Sequence, residues 1–378
     1  MNKMKIIRAC TVAQSVGFFS GMIPELRRRG FEVVSVSSEG PELSKVSEAG
    51  GRVVTVNMER HISPLRDLRS LWQLIRVFRR ERPDIVHSMT PKAGLLCMMA
   101  ARIARVPLRI HTFTGLVFPT AKGLTQKILM TTDRITCACA THVIPEGEGV
   151  KADLAGFGIT RKPMRVLGHG NVRGIDMRRF DPDDPDVTAQ AGRLRKPGVT
   201  TFIFIGRLVG DKGINELVEA FSRLYRECPD TRLLLVGPRE DALDPLSPAT
   251  VEEIERNEAI VTPGSQQDVR PWLAASDILA FPSYREGFPN VVIEAGAMRL
   301  PSIVTDINGS REIIRHGENG LIIPPRDADS LYEAMKRLLA DGDMRRRMSE
   351  AARPLIASRY DHLYVRDCLM QFYEGIII

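Results

Sequence analysis

The sequence predicts an α/β protein of two domains, each a parallel sheet with helices on both faces. Three observations carry this. Short apolar runs alternate with helix-period segments from end to end, which is the signature of βαβ units. That pattern breaks once, near residues 168–185, and then restarts. At 378 residues the chain is also too long for one ordinary core.

In the first half, strands are expected at Lys5-Ile6-Ile7, Val33-Val34-Ser35-Val36, Val53-Val54-Thr55-Val56, Asp84-Ile85-Val86-His87 and His142-Val143-Ile144. Between them lie segments such as Leu65, Leu68, Trp72 and Ile75, spaced as on one helix face. Gly168-His169-Gly170-Asn171 and Asp181-Pro182-Asp183-Asp184-Pro185 then interrupt the pattern, as at a domain boundary. Unbroken apolar runs resume at Thr201-Phe202-Ile203-Phe204-Ile205, Leu233-Leu234-Leu235-Val236, residues 278–281, Ile303-Val304 and Leu321-Ile322-Ile323. Buried parallel strands read this way. The expected division is residues 1–180 and 181–356, with a last helix in 357–378 packing back on the first domain. Ligands of such sheets sit at the carboxyl ends of the strands, in a cleft between the domains.

Composition narrows the function. The start has no apolar signal segment, and the most apolar stretch, residues 94–108, is interrupted by Arg102 and Arg105. The six cysteines have neither zinc-site nor disulfide spacing, and are expected to be buried thiols in a reducing cytoplasm. The net charge of +7 conceals an asymmetry: residues 1–180 hold 29 Lys and Arg against 14 Asp and Glu, the rest 24 against 32. A basic half attracts an anionic partner, membrane surface or phosphorylated substrate. Nucleic acid is not expected, because none of its binding signatures is present.

Two loops carry the chemistry. After the strand at 201–205 comes Gly206-Arg207-Leu208-Val209-Gly210-Asp211-Lys212-Gly213, followed by a helical pattern. Two cations beside a helix N-terminus suit a diphosphate: Arg offers a planar fork, Lys a point charge, and the helix its free N–H groups. A solvated surface loop remains an alternative on this motif alone. Neither the Walker loop nor the dinucleotide G-x-G-x-x-G is present, which counts against NAD. The second loop runs Pro282-Ser283-Tyr284-Arg285-Glu286-Gly287-Phe288-Pro289-Asn290 into a helix carrying Val291 and Glu294. Asn290 and Glu294 share a face by i, i+4 spacing. A carboxylate accepts two hydroxyl hydrogen bonds and so suits the vicinal diol of a ribose or pyranose. Glu294 also interrupts an apolar face, which is unusual for a Glu without a role.

These residues resemble family 4 of the retaining glycosyltransferases. The resemblance lies in G-R-L-x-x-x-K-G, in Glu286 and Glu294 eight residues apart, and in Leu300-Pro301-Ser302-Ile303-Val304-Thr305. It continues through Gly309-Ser310-Arg311-Glu312-Ile313-Ile314 and Gly317-Glu318-Asn319-Gly320-Leu321-Ile322. In the first half, His87-Ser88-Met89-Thr90-Pro91-Lys92, Thr114-Gly115-Leu116 and residues 170–176 are similar to bacterial capsular and surface-polysaccharide members. The resemblance implies the GT-B architecture, two Rossmann-like domains facing across a cleft. It implies a nucleotide-diphosphate sugar donor, UDP favoured, and a lipid-diphosphate-linked or growing saccharide as acceptor. Arg207 and Lys212 would bind the diphosphate, Glu294 the ribose hydroxyls and Glu286 the transferred sugar. Gly206, Phe288, Pro289, Asn290 and Val291 would complete the donor pocket. No metal or other cofactor is implied. Thr114 stands where many members have His, and Arg299 where Gly is common.

On the acceptor side the candidates are His87, Lys92, Thr114 and Gly115. His111 reads equally as a strand-cap histidine. Arg66, Arg69, Arg76 and Arg80 stripe one predicted helix beside Leu68, Trp72 and Ile75, a pattern that fits an anionic membrane surface or a packed helix with solvated arginines. The expected setting is therefore cytoplasmic, peripheral on the inner face of the plasma membrane. Two rival readings share the architecture: a nucleotide-sugar epimerase and a non-catalytic scaffold.

Overall fold

The structure is a computed structural model that describes residues 4–59, 63–240 and 244–377. The chain forms two compact units, residues 1–174 with 363–378, and residues 175–362. The first crossing thus falls six residues before the expected boundary, and the chain returns at 363 rather than 357. Hydrogen bonding explains both positions. Ile175 N–H donates to the Tyr360 carbonyl at 2.8 Å, and His362 N–H donates to the Ile175 carbonyl at 2.9 Å. The two crossing strands are therefore fastened together as part of the second unit.

The first unit is a parallel sheet of β1 (Lys5–Ala9), β2 (Glu32–Ser37), β3 (Arg52–Thr55), β4 (Ile85–Met89), β5 (Leu108–Phe113) and β6 (His142–Pro145), in the order β3-β2-β1-β4-β5-β6. Its inner strands are buried on both faces, as Ile6, Ile7, Ile85 and Val86 show, while the edge strand β3 is partly exposed. The helix Pro64–Glu81 starts on a Pro at its first turn and stops at Arg82 in the left-handed region, φ +48°. It buries Ser70, Leu74, Phe78 and Glu81, one stripe at i, i+4 and i, i+3 spacings. The helix His362–Ile377 buries Val365, Leu369, Met370, Phe372 and Tyr373 in this same unit.

The second unit repeats the plan with β7 (Thr200–Ile205), β8 (Thr231–Val236), β9 (Ile260–Gly264), β10 (Ile278–Phe281), β11 (Ser302–Thr305) and β12 (Gly320–Ile323). Their order is β12-β11-β10-β7-β8-β9. Phe202, Ile203 and Phe204 are fully buried, and Phe204 stacks on Phe281 with centroids 5.6 Å apart. In both sheets the strand order reverses once, between β1 and β4 and between β7 and β10. The loops leaving those strands diverge to opposite faces, so each reversal opens a crevice at the carboxyl edge where ligands bind.

Candidate functional site

The loops after β7 and β10, which flank the reversal in the second unit, are the two that the sequence singles out. The first descends from Gly206 through a single tight turn, Gly210–Lys212, to Gly213, where the helix Ile214–Glu227 begins. Gly213 has φ +71°, and a Cβ there would stand 2.2 Å from the Pro282 carbonyl oxygen. Only glycine lets this helix start so close to the β10 loop. That loop is held from its other side by Gly309, φ +73°, whose Cβ would lie 2.6 Å from the Gly287 carbonyl oxygen.

Between these two contacts sits an ion pair. The Lys212 ammonium donates to Glu286 Oε1, and the Ser283 hydroxyl donates to the same oxygen at 2.9 Å. Both charged side chains are mostly buried, 15% and 17% exposed. Lys212 also lies 5.8 Å from the centre of the Phe281 ring. Arg207 is more open and donates to Glu240 at 2.9 Å. That hydrogen bond, outweighing the desolvation that opposes it, holds its pKa above the ordinary arginine value, and Asp211 and Glu286 add to the effect. Arg207 is therefore a cation that must exchange Glu240 for any incoming anion.

The helix Asn290–Ala297 follows β10 and buries Val292, Ile293, Ala295, Gly296 and Ala297. Its half-buried face is Asn290, Val291 and Glu294, which brings three expected donor-pocket residues together. Phe288 is buried edge-on against Tyr360, ring centres 5.5 Å apart, so it anchors the loop on the core.

Several supporting residues escape sequence reasoning. Asp244 Oδ2 accepts from the Asp211 N–H at 2.6 Å and its carbonyl accepts from the Gly210 N–H at 3.2 Å, clamping the tight turn. The Tyr284 N–H donates to the Asp211 carbonyl at 2.9 Å, and Arg285 pairs with Asp211 at 3.2 Å. The Tyr284 hydroxyl donates to Glu216, and Arg326 stacks on its ring at 4.6 Å. Burial, then the Glu216 bond, push the Tyr284 pKa well above the ordinary phenol. These partners come from distant segments, and no local pattern marks them.

Among the acceptor-side candidates, the position of His87 is corrected. His87 does not end its strand, since β4 continues to Met89. It is buried, with Nδ1 bonded to the Tyr373 hydroxyl at 2.6 Å and Nε2 to the Thr112 hydroxyl at 2.7 Å. Desolvation, then the charge of Arg8, hold its pKa well below the usual histidine range. His87 thus ties β4 to β5 and to the last helix and offers no open ring nitrogen. His111 lies within β5, bonded to the Ser88 hydroxyl at 2.9 Å, and burial lowers its pKa to about 3. A Cβ on Gly94 would stand 2.4 Å from its ring, so this histidine fills a core niche. Lys92 is bound to both Asp67 oxygens, at 2.7 and 3.0 Å. Thr114 and Gly115 lie half-buried just beyond β5, at the carboxyl edge. Among the described residues, no three His, Cys, Asp or Glu side chains are grouped to hold a metal ion.

Comparison with known proteins accounts for this layout. A model of the glycosyl transferase 4-like domain matches residues 18–170, and one of the group 1 glycosyl transferases matches residues 199–341. The capsular polysaccharide biosynthesis glycosyltransferase CapM of Staphylococcus aureus is 30% identical over 378 residues, covering 100% of this chain and 98% of CapM. The chain belongs to the group 1 glycosyl transferases. A second relative is the UDP-Gal:alpha-D-GlcNAc-diphosphoundecaprenol alpha-1,3-galactosyltransferase of Escherichia coli, 28% identical over 84% of this chain and 82% of its own. Anabaena HepE in complex with UDP superposes with a TM-score of 0.81 at 18% identity, over 98% of this chain and 100% of HepE. The fold of this glycosyltransferase is accordingly GT-B, two six-stranded parallel sheets each flanked by helices.

Proposed function

We propose that this glycosyltransferase moves a sugar from a UDP-sugar to a lipid-diphosphate-linked or growing saccharide in surface polysaccharide synthesis, with retention of anomeric configuration. One observation carries the donor half. Lys212, Arg207 and the half-buried face of Asn290, Val291 and Glu294 gather at the single strand-order reversal of the second unit. Two helices also begin there, and a helix N-terminus favours a phosphate. The names of the relatives support the rest: the E. coli enzyme is named for UDP-galactose and a diphosphoundecaprenol acceptor, and HepE holds UDP.

In this reading Arg207 releases Glu240 to grip the diphosphate, and Lys212 neutralises charge growing on it as the sugar–phosphate bond breaks. Glu294 accepts from the ribose hydroxyls. Glu286 accepts from the hydroxyls of the transferred sugar while its other contact holds Lys212 in place. The leaving diphosphate takes the acceptor hydroxyl's proton on the face it departs from, so the new bond forms with retention and no protein nucleophile is needed. No metal or other cofactor enters.

A peripheral membrane setting belongs to the same proposal. Among the described residues no helix is long and apolar enough to cross a membrane. Leu65, 85% exposed, and Leu68 open the helix Pro64–Glu81, and Leu124, 73% exposed, and Ile128 open the helix Gly123–Cys139. Both helices begin at the carboxyl edge of the first sheet, and Lys122 and Lys127 are exposed beside the second apolar pair. This edge fits an anionic lipid surface that would carry the acceptor.

The deciding experiment incubates the protein with a UDP-sugar panel, with and without undecaprenyl-diphosphate-linked saccharide. UDP release and an α-linked product that both require the acceptor support the reading. Conversion of donor alone means an epimerase, and UDP-sugar binding without turnover in any combination means a scaffold.

A further inference from the structure

Along the outer edge of the first sheet, a groove of about 640 Å³ separates the edge strand β3 from the helix Pro64–Glu81. Its strand side is Val54, Thr55 and Asn57 with one carboxylate, Glu39, at its margin, and its helix side is Trp72, Gln73, Arg76 and Arg80, so cations outnumber the carboxylate. A second hollow of about 310 Å³ shares Asn57 and Gln73 with it and continues past Arg69 to Arg66, which Glu59 already holds. From Arg80 to Arg66 the helix spans about 21 Å, at 1.5 Å per residue.

Trp72 is 54% exposed, although most indoles of this size are largely covered. The Arg76 guanidinium lies 3.8 Å from its ring centre, so a flat aromatic and a flat cation form one platform. Among the described residues, neither Arg69 nor Arg76 has a carboxylate partner, and Arg80 has only a 3.4 Å contact with Glu81, which Arg52 already holds. Around this platform are planar amides and a hydroxyl, at Asn57, Gln73 and Thr55. A membrane needs a flat or convex apolar surface, whereas this is a concave polar strip with one aromatic face. It matches a pyranose chain, whose C–H faces stack on indole, whose hydroxyls pair with amides, and whose carboxylates pair with guanidinium forks.

We propose that this groove binds a stretch of acidic polysaccharide, the growing chain. The proposal rests on the reading of the enzyme as a polysaccharide synthase, and adds a site for the chain beyond the reacting sugar. Trp72 stacks on one residue of the chain, Asn57 and Gln73 bond its hydroxyls, and Arg69, Arg76 and Arg80 pair with successive carboxylates. Arg69 and Arg76 suit such a ligand because no carboxylate ion pair has to be broken first, and Arg80 gives up only its long contact with Glu81.

The test is tryptophan fluorescence. The chain has two tryptophans, and Trp272 lies in the other unit, so Trp272→Phe leaves Trp72 as sole reporter. Oligogalacturonate of four to six residues is titrated in, with maltohexaose as neutral control and anionic vesicles as a third arm. Saturable quenching by oligogalacturonate is expected, with maltohexaose weaker by about tenfold or more, equivalent to 1.4 kcal/mol. Arg76→Gln with Arg80→Gln should weaken it about tenfold, and Trp72→Ala should abolish binding seen by calorimetry. UDP affinity, measured on every variant, should stay within twofold and so report an intact fold and donor site. No saturable binding, equal binding of the neutral chain, or a response to vesicles alone overturns the proposal. Loss of UDP binding by the parent protein would instead overturn the donor-site reading and leave this groove to be judged by its own titration.

Discussion

Lys212 and Glu286 are bonded directly to each other although 74 residues separate them, one from each strand flanking the order reversal of the second sheet. The pair makes each residue's function depend on the other. In the proposed donor site, a mostly buried carboxylate beside a diphosphate would be unfavourable unless its charge were already offset, and Lys212 offsets it.

Removing either donor-loop cation should therefore harm turnover. Lys212→Ala and Arg207→Ala should each cost roughly 2–4 kcal/mol of transition-state stabilisation, or ~30- to 800-fold in kcat/KM. Their stability effects should differ. Lys212→Met strands Glu286 and should lower stability by about 1–2 kcal/mol, less than for a fully buried pair. Adding Glu286→Gln should restore most of the melting temperature and none of the activity. Arg207→Met should leave the melting temperature nearly unchanged, because its partner Glu240 is exposed enough to hydrate. Activity within threefold of the parent in both alanine variants would remove the loop from the mechanism.

Glu294 should serve binding more than chemistry. Ribose hydroxyls are held alike in ground and transition states, and uniform binding of that kind appears in KM rather than kcat. Glu294→Gln should weaken UDP binding by calorimetry about tenfold, the scale of one charge-assisted hydrogen bond. An unchanged dissociation constant would take Glu294 out of the donor site. Exhaustive chelation should leave turnover intact, and loss restored only by Mg²⁺ or Mn²⁺ would require a metal in the reaction.

The donor loops were legible because their chemistry is local. Gly206, Arg207, Lys212 and Gly213 lie on one strand–loop–helix, and Glu286 to Glu294 lie on another, so spacing alone puts them at strand ends. What holds those loops was not legible. Asp244 and Glu240 reach them across the fold, and nothing near them in sequence announces a partner. The strand β9 was missed for a different reason. Its Ile260–Gly264 ends in Pro263-Gly264 and is half-exposed at the sheet edge, so it lacks the unbroken apolar run of its neighbours. His87 misled because a histidine near a strand end looks poised, whereas the partners that occupy both ring nitrogens lie 25 and 286 residues away.

Asp133 gives a pH signature to the first unit. It sits buried in the helix Gly123–Cys139, and desolvation raises its pKa from the usual carboxylate range to about 7. In the unfolded chain it titrates near 4. Between those values the folded state holds a proton that the unfolded state has lost, so stability falls as pH rises from about 4 to 7. The full penalty applies above 7. Asp133→Asn removes the titration and should raise the melting temperature at pH 8 by several degrees, for about 1–3 kcal/mol relieved. At pH 4 the substitution should be nearly neutral. Equal shifts at both pH values would mean that Asp133 is charged throughout.

Membrane attachment should depend on apolar side chains as well as charge. The arginine stripe that first suggests it is partly committed elsewhere: Arg66 pairs with Glu59 and Arg80 contacts Glu81. Leu65, Leu68, Leu124 and Ile128 remain exposed, with Lys122 and Lys127 beside the second pair. Each lysine near an anionic surface contributes about 1 kcal/mol, and the attraction fades within a Debye length of about 10 Å at 0.1 M salt. Each buried leucine contributes about 1.5–3 kcal/mol, with no such salt dependence. Co-sedimentation with anionic vesicles should therefore fall, without vanishing, in molar salt, and neutral vesicles should bind weakly. Leu65→Gln, Leu68→Gln and Leu124→Gln together should abolish the binding that persists in molar salt and leave turnover of a short water-soluble acceptor unchanged. Lys122→Gln with Lys127→Gln should remove only the salt-sensitive part. If the leucine variant still sediments with vesicles as the parent does, the enzyme meets its acceptor through another face.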